Sequence, residues 1–247
     1  MKLFETSALI VAGATAFALS GCVLFNDLPY EHTESLELEF ESSAPGFDIE
    51  LEVGDIEIVA TEGTPRVTAV IHEKYENDAH LVVDGGRIGL TTDSVDGEAR
   101  LGDITLELPP HLGRIGIANG VGDIDVSGFD TIESLRLESG TGDVYLSELG
   151  EVARIEIELG VGDAFLVGVG AMDAKLECGV GDAVLERSSF AELEVDLGVG
   201  DLTAGTSEAV SVDLDSGVGD IVRPRAVESI RPTAASSSRP EAAQSVY

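Results

Sequence analysis

The chain has 247 residues, with 47 acidic against 14 basic side chains and a formal charge of −33. That imbalance argues against nucleic acid as a partner, because phosphate binding needs a basic face; it favours cations, cationic peptides, cell-surface glycans or proteins. A hydrophobic share of 43% in an alternating pattern indicates a packed core rather than acidic disorder.

Residues 1–21 read as an export signal: Lys2 gives a positive start, and Leu9 to Leu19 form an apolar run too short to span a bilayer comfortably. The run ends in Leu19-Ser20-Gly21-Cys22, which resembles a bacterial lipobox. That resemblance implies cleavage before Cys22 and acylation of its thiol, so the chain is expected to be membrane-bound through a lipid anchor at Cys22. Val23 in place of aspartate, by similarity to Gram-negative sorting, implies the outer membrane. Residues 22–32 then form the lipidated tether.

Residues 33–222 carry the fold, beginning with an irregular β cap over 33–110. Leu36 to Phe40, Phe47 to Leu51, Arg66 to Ile71 and Leu81 to Val83 read as strands. Asp84-Gly85-Gly86-Arg87 is a hairpin signal leading into Ile88-Gly89-Leu90. Val53-Gly54-Asp55-Ile56 looks like an early, imperfect copy of the later repeat, with Glu52 where later copies have glycine. Gly102-Asp103-Ile104 opens the regular period, its aspartate 20 residues before Asp123.

From 111 to 222 the sequence repeats Gly-x-Gly-Asp, ending at Asp123, Asp143, Asp163, Asp182, Asp201 and Asp220. The aspartates are spaced 20, 20, 19, 19 and 19 residues apart. A fixed period of this size marks a solenoid, in which each repeat covers the apolar face of its neighbour. Counting from the aspartate, positions −8 and −6 are apolar (Leu135/Leu137, Ile155/Ile157) and −7 and −5 mostly charged (Arg136/Glu138, Glu156/Glu158). This is the period-two alternation of a strand with one face buried. Positions +1 and +3 are apolar again, and glycine supplies the bend between. The expected fold is all-β: a β-solenoid of about six regular coils, a parallel β-helix taken as right-handed by analogy with known ones. A twisted β-sandwich of hairpins is the rival, against which the even spacing counts. Residues 223–247, rich in proline, serine and arginine, read as a disordered tail.

The lipobox, the acidic alternating strands, the Asp84-Gly85-Gly86-Arg87 hairpin and the repeated Gly-x-Gly-Asp resemble the bacterial putative-adhesin family of β-strand-repeat proteins of unknown function. The resemblance covers residues 35–222. It implies an exported or surface β-solenoid with an adhesin-like binding or structural role, and it carries no catalytic residues.

Candidate sites follow from the repeat. The stacked aspartates Asp123, Asp143, Asp163, Asp182, Asp201 and Asp220 need relief from mutual repulsion. Either each accepts hydrogen bonds from its own glycine turn, or calcium bridges the coils as a possible cofactor. Glu138, Glu158 and Glu177 form an outward acidic column at −5, and Tyr145 and Phe165 an outward apolar strip at +2; both are candidate binding surfaces. No enzymatic pattern emerges: His32, His72, His80 and His111 lack metal-ligand spacing, and no carboxylate pair stands out for glycoside chemistry. Cys178, at −4 where other repeats carry leucine, reads as a small buried hydrophobe. The sequence thus points to a non-enzymatic, lipid-anchored envelope protein, with a calcium-stabilised adhesin or a carbohydrate-active β-helix enzyme as alternatives.

Overall fold

The computed structural model describes residues 32–40 and 45–227. The signal segment, Cys22, the tether before His32 and the tail beyond Val227 lie outside them.

All the regular structure among the described residues is strand. The entry region holds β1 (His32–Glu39), β2 (Gly46–Val53), β3 (Ile56–Ala60), β4 (Arg66–Glu73), β5 (Ala79–Asp84), β6 (Arg87–Thr92) and β7 (Ala99–Leu108). The repeats supply β8 (His111–Val121), β9 (Ile124–Ser127), β10 (Thr131–Thr141), β11 (Val144–Val161), β12 (Ala164–Val180) and β13 (Ala183–Glu186). They continue through β14 (Ser189–Val199), β15 (Leu202–Thr203), β16 (Glu208–Val218), β17 (Ile221–Val222) and β18 (Arg225–Ala226).

The repeats stack as the period predicts, in parallel and in register. On the front face, before each Gly-x-Gly-Asp, Ile115, Leu135, Ile155, Ala174, Leu193 and Val212 lie one above another. On the back face, after it, the column is Ile124, Val144, Ala164, Ala183, Leu202 and Ile221. Both columns are buried through most of the stack, where they form one continuous core with Phe47, Phe129 and Phe190. Each buried leucine or isoleucine contributes ~1.5–3 kcal/mol of transfer free energy, so the alternation itself holds the coils together. The core thins at the last coil, where Val212, Leu214 and Ile221 are only partly buried.

The order of the stack departs from the order of the chain at one place. A spacing of 20 sets Asp103 one coil before Asp123, yet the imperfect copy at β2–β3 lies between them. Ile56 pairs with Ile104 on one side and Ile124 on the other, and Phe47 to Val53 lie against Ile115 to Val121. Residues 46–60 are therefore a coil of the stack. The chain leaves it to build β4, β5 and β6, returns as β7 below β3, then crosses to β8 above β2. Pairing turns antiparallel at this end: β4 covers the edge of β7, and β1 covers β4. That reversal ends the propagating parallel stack.

The β5–β6 hairpin is as expected, with Asp84 opposite Arg87. Gly85 and Gly86 carry φ of +57° and +87°, the signature of a type I′ turn. The change of period from 20 to 19 also has a location. The β11–β12 pairing slips between Leu149/Val169 and Val152/Ala171, so the missing residue is lost at the corner where Gly150-Glu151 faces Gly170.

Candidate functional site

Each Gly-x-Gly-Asp turn is built across coils, and this decides what the aspartates do. The second glycine has φ between +136° and +156° in the regular repeats, a region that L side chains avoid. A Cβ on Gly162 would also overlap the carbonyl oxygen of Gly142 in the preceding coil. Only glycine allows the backbones to approach so closely. The aspartate then accepts a hydrogen bond through Oδ1 from the backbone N–H of the next aspartate in the stack. Asp143 N–H donates to Asp123 at 2.8 Å, and Asp163, Asp182, Asp201 and Asp220 repeat the bond at 2.8 Å. The column extends into the entry region, where Asp123 N–H donates to Asp55 at 2.9 Å and Asp55 N–H to Asp103 at 3.0 Å. The donor thus comes from the following coil and not from the aspartate's own turn, contrary to the sequence expectation. A bond to a carboxylate contributes more than a neutral one, which offsets the repulsion of the stacked charges.

Position −4 lines the inner side of the same turns. Cys178 is buried there as expected, and its S–H donates to the carbonyl of Gly162 at 3.4 Å. Burial, and next the charge of Asp163, push its thiol pKa up, so the thiolate is disfavoured. Asn119 donates from Nδ2 to Gly54 and Gly122, and Ser216 to Gly200.

On the front face the −5 column of Glu138, Glu158 and Glu177 is brought into register, but it is clipped by cations at −7. Arg136 reaches Glu138 at 2.8 Å, Glu156 at 2.6 Å and Glu158 at 3.0 Å. Lys175 spans Glu177 at 2.8 Å and Glu194 at 3.1 Å, and these bonds raise its pKa. On the back face Tyr145 and Phe165 stack with ring centroids 4.9 Å apart and planes 5° apart. The Tyr145 hydroxyl donates to Asp143 Oδ2 at 3.2 Å. Val184 continues the column on one side, and Asp125 and Glu57 on the other. Burial, and then the neighbouring Glu57, raise the Asp125 pKa.

Three features escaped the sequence reading. The x residue of the turn forms an exposed ridge of Val121, Val161, Val180, Val199 and Val218, interrupted by Thr141 between the first two, with Val161 50% exposed. An apolar groove of about 340 Å³ lies at the corner where the period shortens, between Val152, Ala171 and Met172. A larger open groove of about 760 Å³ lies where the β5–β6 hairpin stands off β2. On the β8 side it is lined by Gly116 and Ala118, small residues at the −7 and −5 positions that later coils fill with mostly charged side chains. Among the described residues no group of three or more His, Cys, Asp or Glu side chains is arranged to hold a metal ion.

A closed stack of parallel coils with aspartate-capped turns and acidic outer faces defines the class: an acidic β-solenoid. The sequence matches the family described as Toastrack DUF4097 over residues 46–238, and the chain belongs to that family. No curated protein matches. Solved structures with a similar course include a protein described as a "putative adhesin" from Bacteroides fragilis, 17% identical, covering 78% of this chain and 97% of its own, TM-score 0.46. A "putative adhesin" from Parabacteroides merdae is 11% identical over 78% of this chain and 97% of its own, TM-score 0.40. A "putative lipid binding protein" from Parabacteroides distasonis is 13% identical over 78% and 98%, TM-score 0.41.

Proposed function

We propose that the protein is a non-enzymatic, adhesin-like binding module, held at the cell envelope by a lipid on Cys22 and presenting its outer strand faces to a partner. One observation carries the reading: the stacked pair of Tyr145 and Phe165, partly exposed on the back face and flanked by Asp143 and Asp125. An aromatic strip that shows its ring edges beside hydrogen-bonding carboxylates suits a glycan or a basic protein surface. The aspartate column is assigned to structure, since its Oδ1 atoms hold the turns. The calcium-stabilised alternative assigns it to metal, and the two differ in their response to chelation.

The test is binding of the purified chain to an array of cell-surface glycans and to lysine-rich peptides, compared with Tyr145→Ala/Phe165→Ala. The proposal expects a ligand whose binding falls at least tenfold in the double variant while the melting temperature moves little. Unchanged binding would move the contact surface elsewhere. Cleavage of a polyuronate, abolished by one carboxylate substitution, would replace the binding reading with an enzymatic one.

A further inference from the structure

The stack is covered at one end and open at the other. At the entry end the antiparallel strands β4 and β1 stop it. At the exit end β16 is paired with β14 from Glu208 to Val218, but its outer edge meets β18 only at Glu208 and Ala209. From Ser211 to Val218 no strand lies beside that edge among the described residues. The core beneath it is thin: Val212 and Leu214 are partly buried, where Leu193 and Val195 in the preceding coil are buried. An uncovered edge over an apolar row invites another strand.

The chain itself already turns onto this edge. The Arg225 N–H donates to the Ser207 carbonyl at 2.8 Å and the Val227 N–H to that of Ala209 at 3.1 Å, so the residues that follow set out along β16 in the direction of a further parallel coil. Their sequence suits one. Leu135-Arg136 and Ala174-Lys175 place an apolar residue inward at −8 and a cation outward at −7. Each of those cations ties its own coil to the next through acidic side chains. The last coil has Asp213 and Asp215 at −7 and −5 and no lysine or arginine on β16. Ile230-Arg231 supplies the missing apolar and cationic pair.

The register follows from what each side chain would meet. Ala226 lies opposite Ala209. Continued at equal spacing, Arg231 would come over Leu214, and burying an unpaired guanidinium is costly. One more residue at the corner, where Val210 is already outside the pairing, sets Ile230 over Val212, Arg231 beside Asp213 and Thr233 beside Asp215. The turn position then falls on Ser238, where the family match ends. Ser237 would stand where β16 leads into Gly219 at φ +155°, a backbone that a serine avoids, so no further coil follows. Pro232, which has no N–H, suits an outermost strand. A second copy fits the edge less well, because two exit edges brought together would set the acidic residues of one against those of the other.

We propose that residues 228–238 form a last front strand that caps the exit edge of β16, with Ile230 closing the core over Val212 and Arg231 clipped to Asp213 and Asp215. This gives that part of the tail an ordered place in the domain. The cap is independent of the Tyr145–Phe165 strip, so either assignment can fail without the other.

The test compares amide exchange in the full chain and in a chain ending at Val227, which keeps every described strand, by mass spectrometry of the peptide over residues 211–218. The outward amides of that peptide should exchange at least tenfold more slowly in the full chain. Arg231→Asp should remove most of this protection, Asp213→Arg in the same chain should restore it, and Arg239→Asp should leave it unchanged. A melt of each variant guards against loss of fold, and sedimentation over a range of concentrations shows whether copies associate. Equal exchange in the two chains, failure of the charge swap to restore protection, or protection that appears only as copies associate would overturn the proposal.

Discussion

Replacing Asp163 by asparagine and by alanine separates the two forces that act on the aspartate column. Asp163 Oδ1 accepts the N–H of Asp182 at 2.8 Å, while its own N–H donates to Asp143. A hydrogen bond to a charged acceptor contributes ~1.5–3 kcal/mol. Against it stand two like charges, one coil away on each side at the strand spacing of ~4.8 Å, each costing ~0.8 kcal/mol in water. Alanine removes both effects and leaves the Asp182 N–H without its acceptor, a net loss of up to ~1.5 kcal/mol. Asparagine also relieves the repulsion but keeps an acceptor. Asp163→Asn should therefore lie within ~1 kcal/mol of the parent and be more stable than Asp163→Ala by ~0.5–1.5 kcal/mol. Equilibrium urea unfolding at low and high salt measures both quantities. Any gain of the asparagine variant over the parent should shrink as salt screens the column, while the gap between the variants should persist. Equal destabilisation by asparagine and alanine would refute the hydrogen-bonding role.

Gly162→Ala should lose several kcal/mol in the same assay, since it adds ~1–3 kcal/mol of backbone strain to overlap with the Gly142 carbonyl at φ +146°. At the opposite corner Glu148 holds φ +51° where the equivalent residue of the next coil is Gly168, so Glu148→Gly should stabilise by ~1 kcal/mol; loss of stability would contradict it. Burial, and next the charge of Glu57, raise the Asp125 pKa above that of an ordinary aspartate, so its penalty is absent where the unfolded carboxylate is already protonated and present once pH passes the folded value. Asp125→Asn should accordingly raise the urea midpoint at pH 7 and leave it nearly unchanged at pH 3.5; a gain confined to low pH would contradict the assignment. Cys22→Ser should release the protein from membranes and abolish palmitate labelling, as seen by fractionation and mass spectrometry, whereas a membrane-bound variant would remove the lipobox reading.

The repeating half of the fold was legible because stacking in register makes local pattern and global structure the same statement. Alternation at Leu135/Leu137 and Ile155/Ile157 identified the buried columns, and Gly85-Gly86 identified its turn. The position of the β2–β3 coil was not legible. Val53-Gly54-Asp55 announces a coil, but nothing in a repeated motif says which copy it stacks on, and that choice rests on pairing across more than 40 residues. The aspartate's partner was misplaced for a similar reason: a local turn rule looks to the same coil, whereas the acceptor serves the coil above. The clips made by Arg136 and Lys175 were written in the −7 column, as rare cations among acids, and their reach across coils follows from side-chain length.

The aspartates act as internal caps of the turns, which leaves binding to the outer faces. A thermal melt of the full chain in EDTA and in millimolar calcium, with ionic-strength-matched sodium controls, tests it most directly, because a ligand held by the folded state raises apparent stability with its concentration. Calcium should shift the melt no more than sodium does. A calcium shift well beyond the sodium control, lost in Asp163→Asn, would contradict it and make the column a metal site.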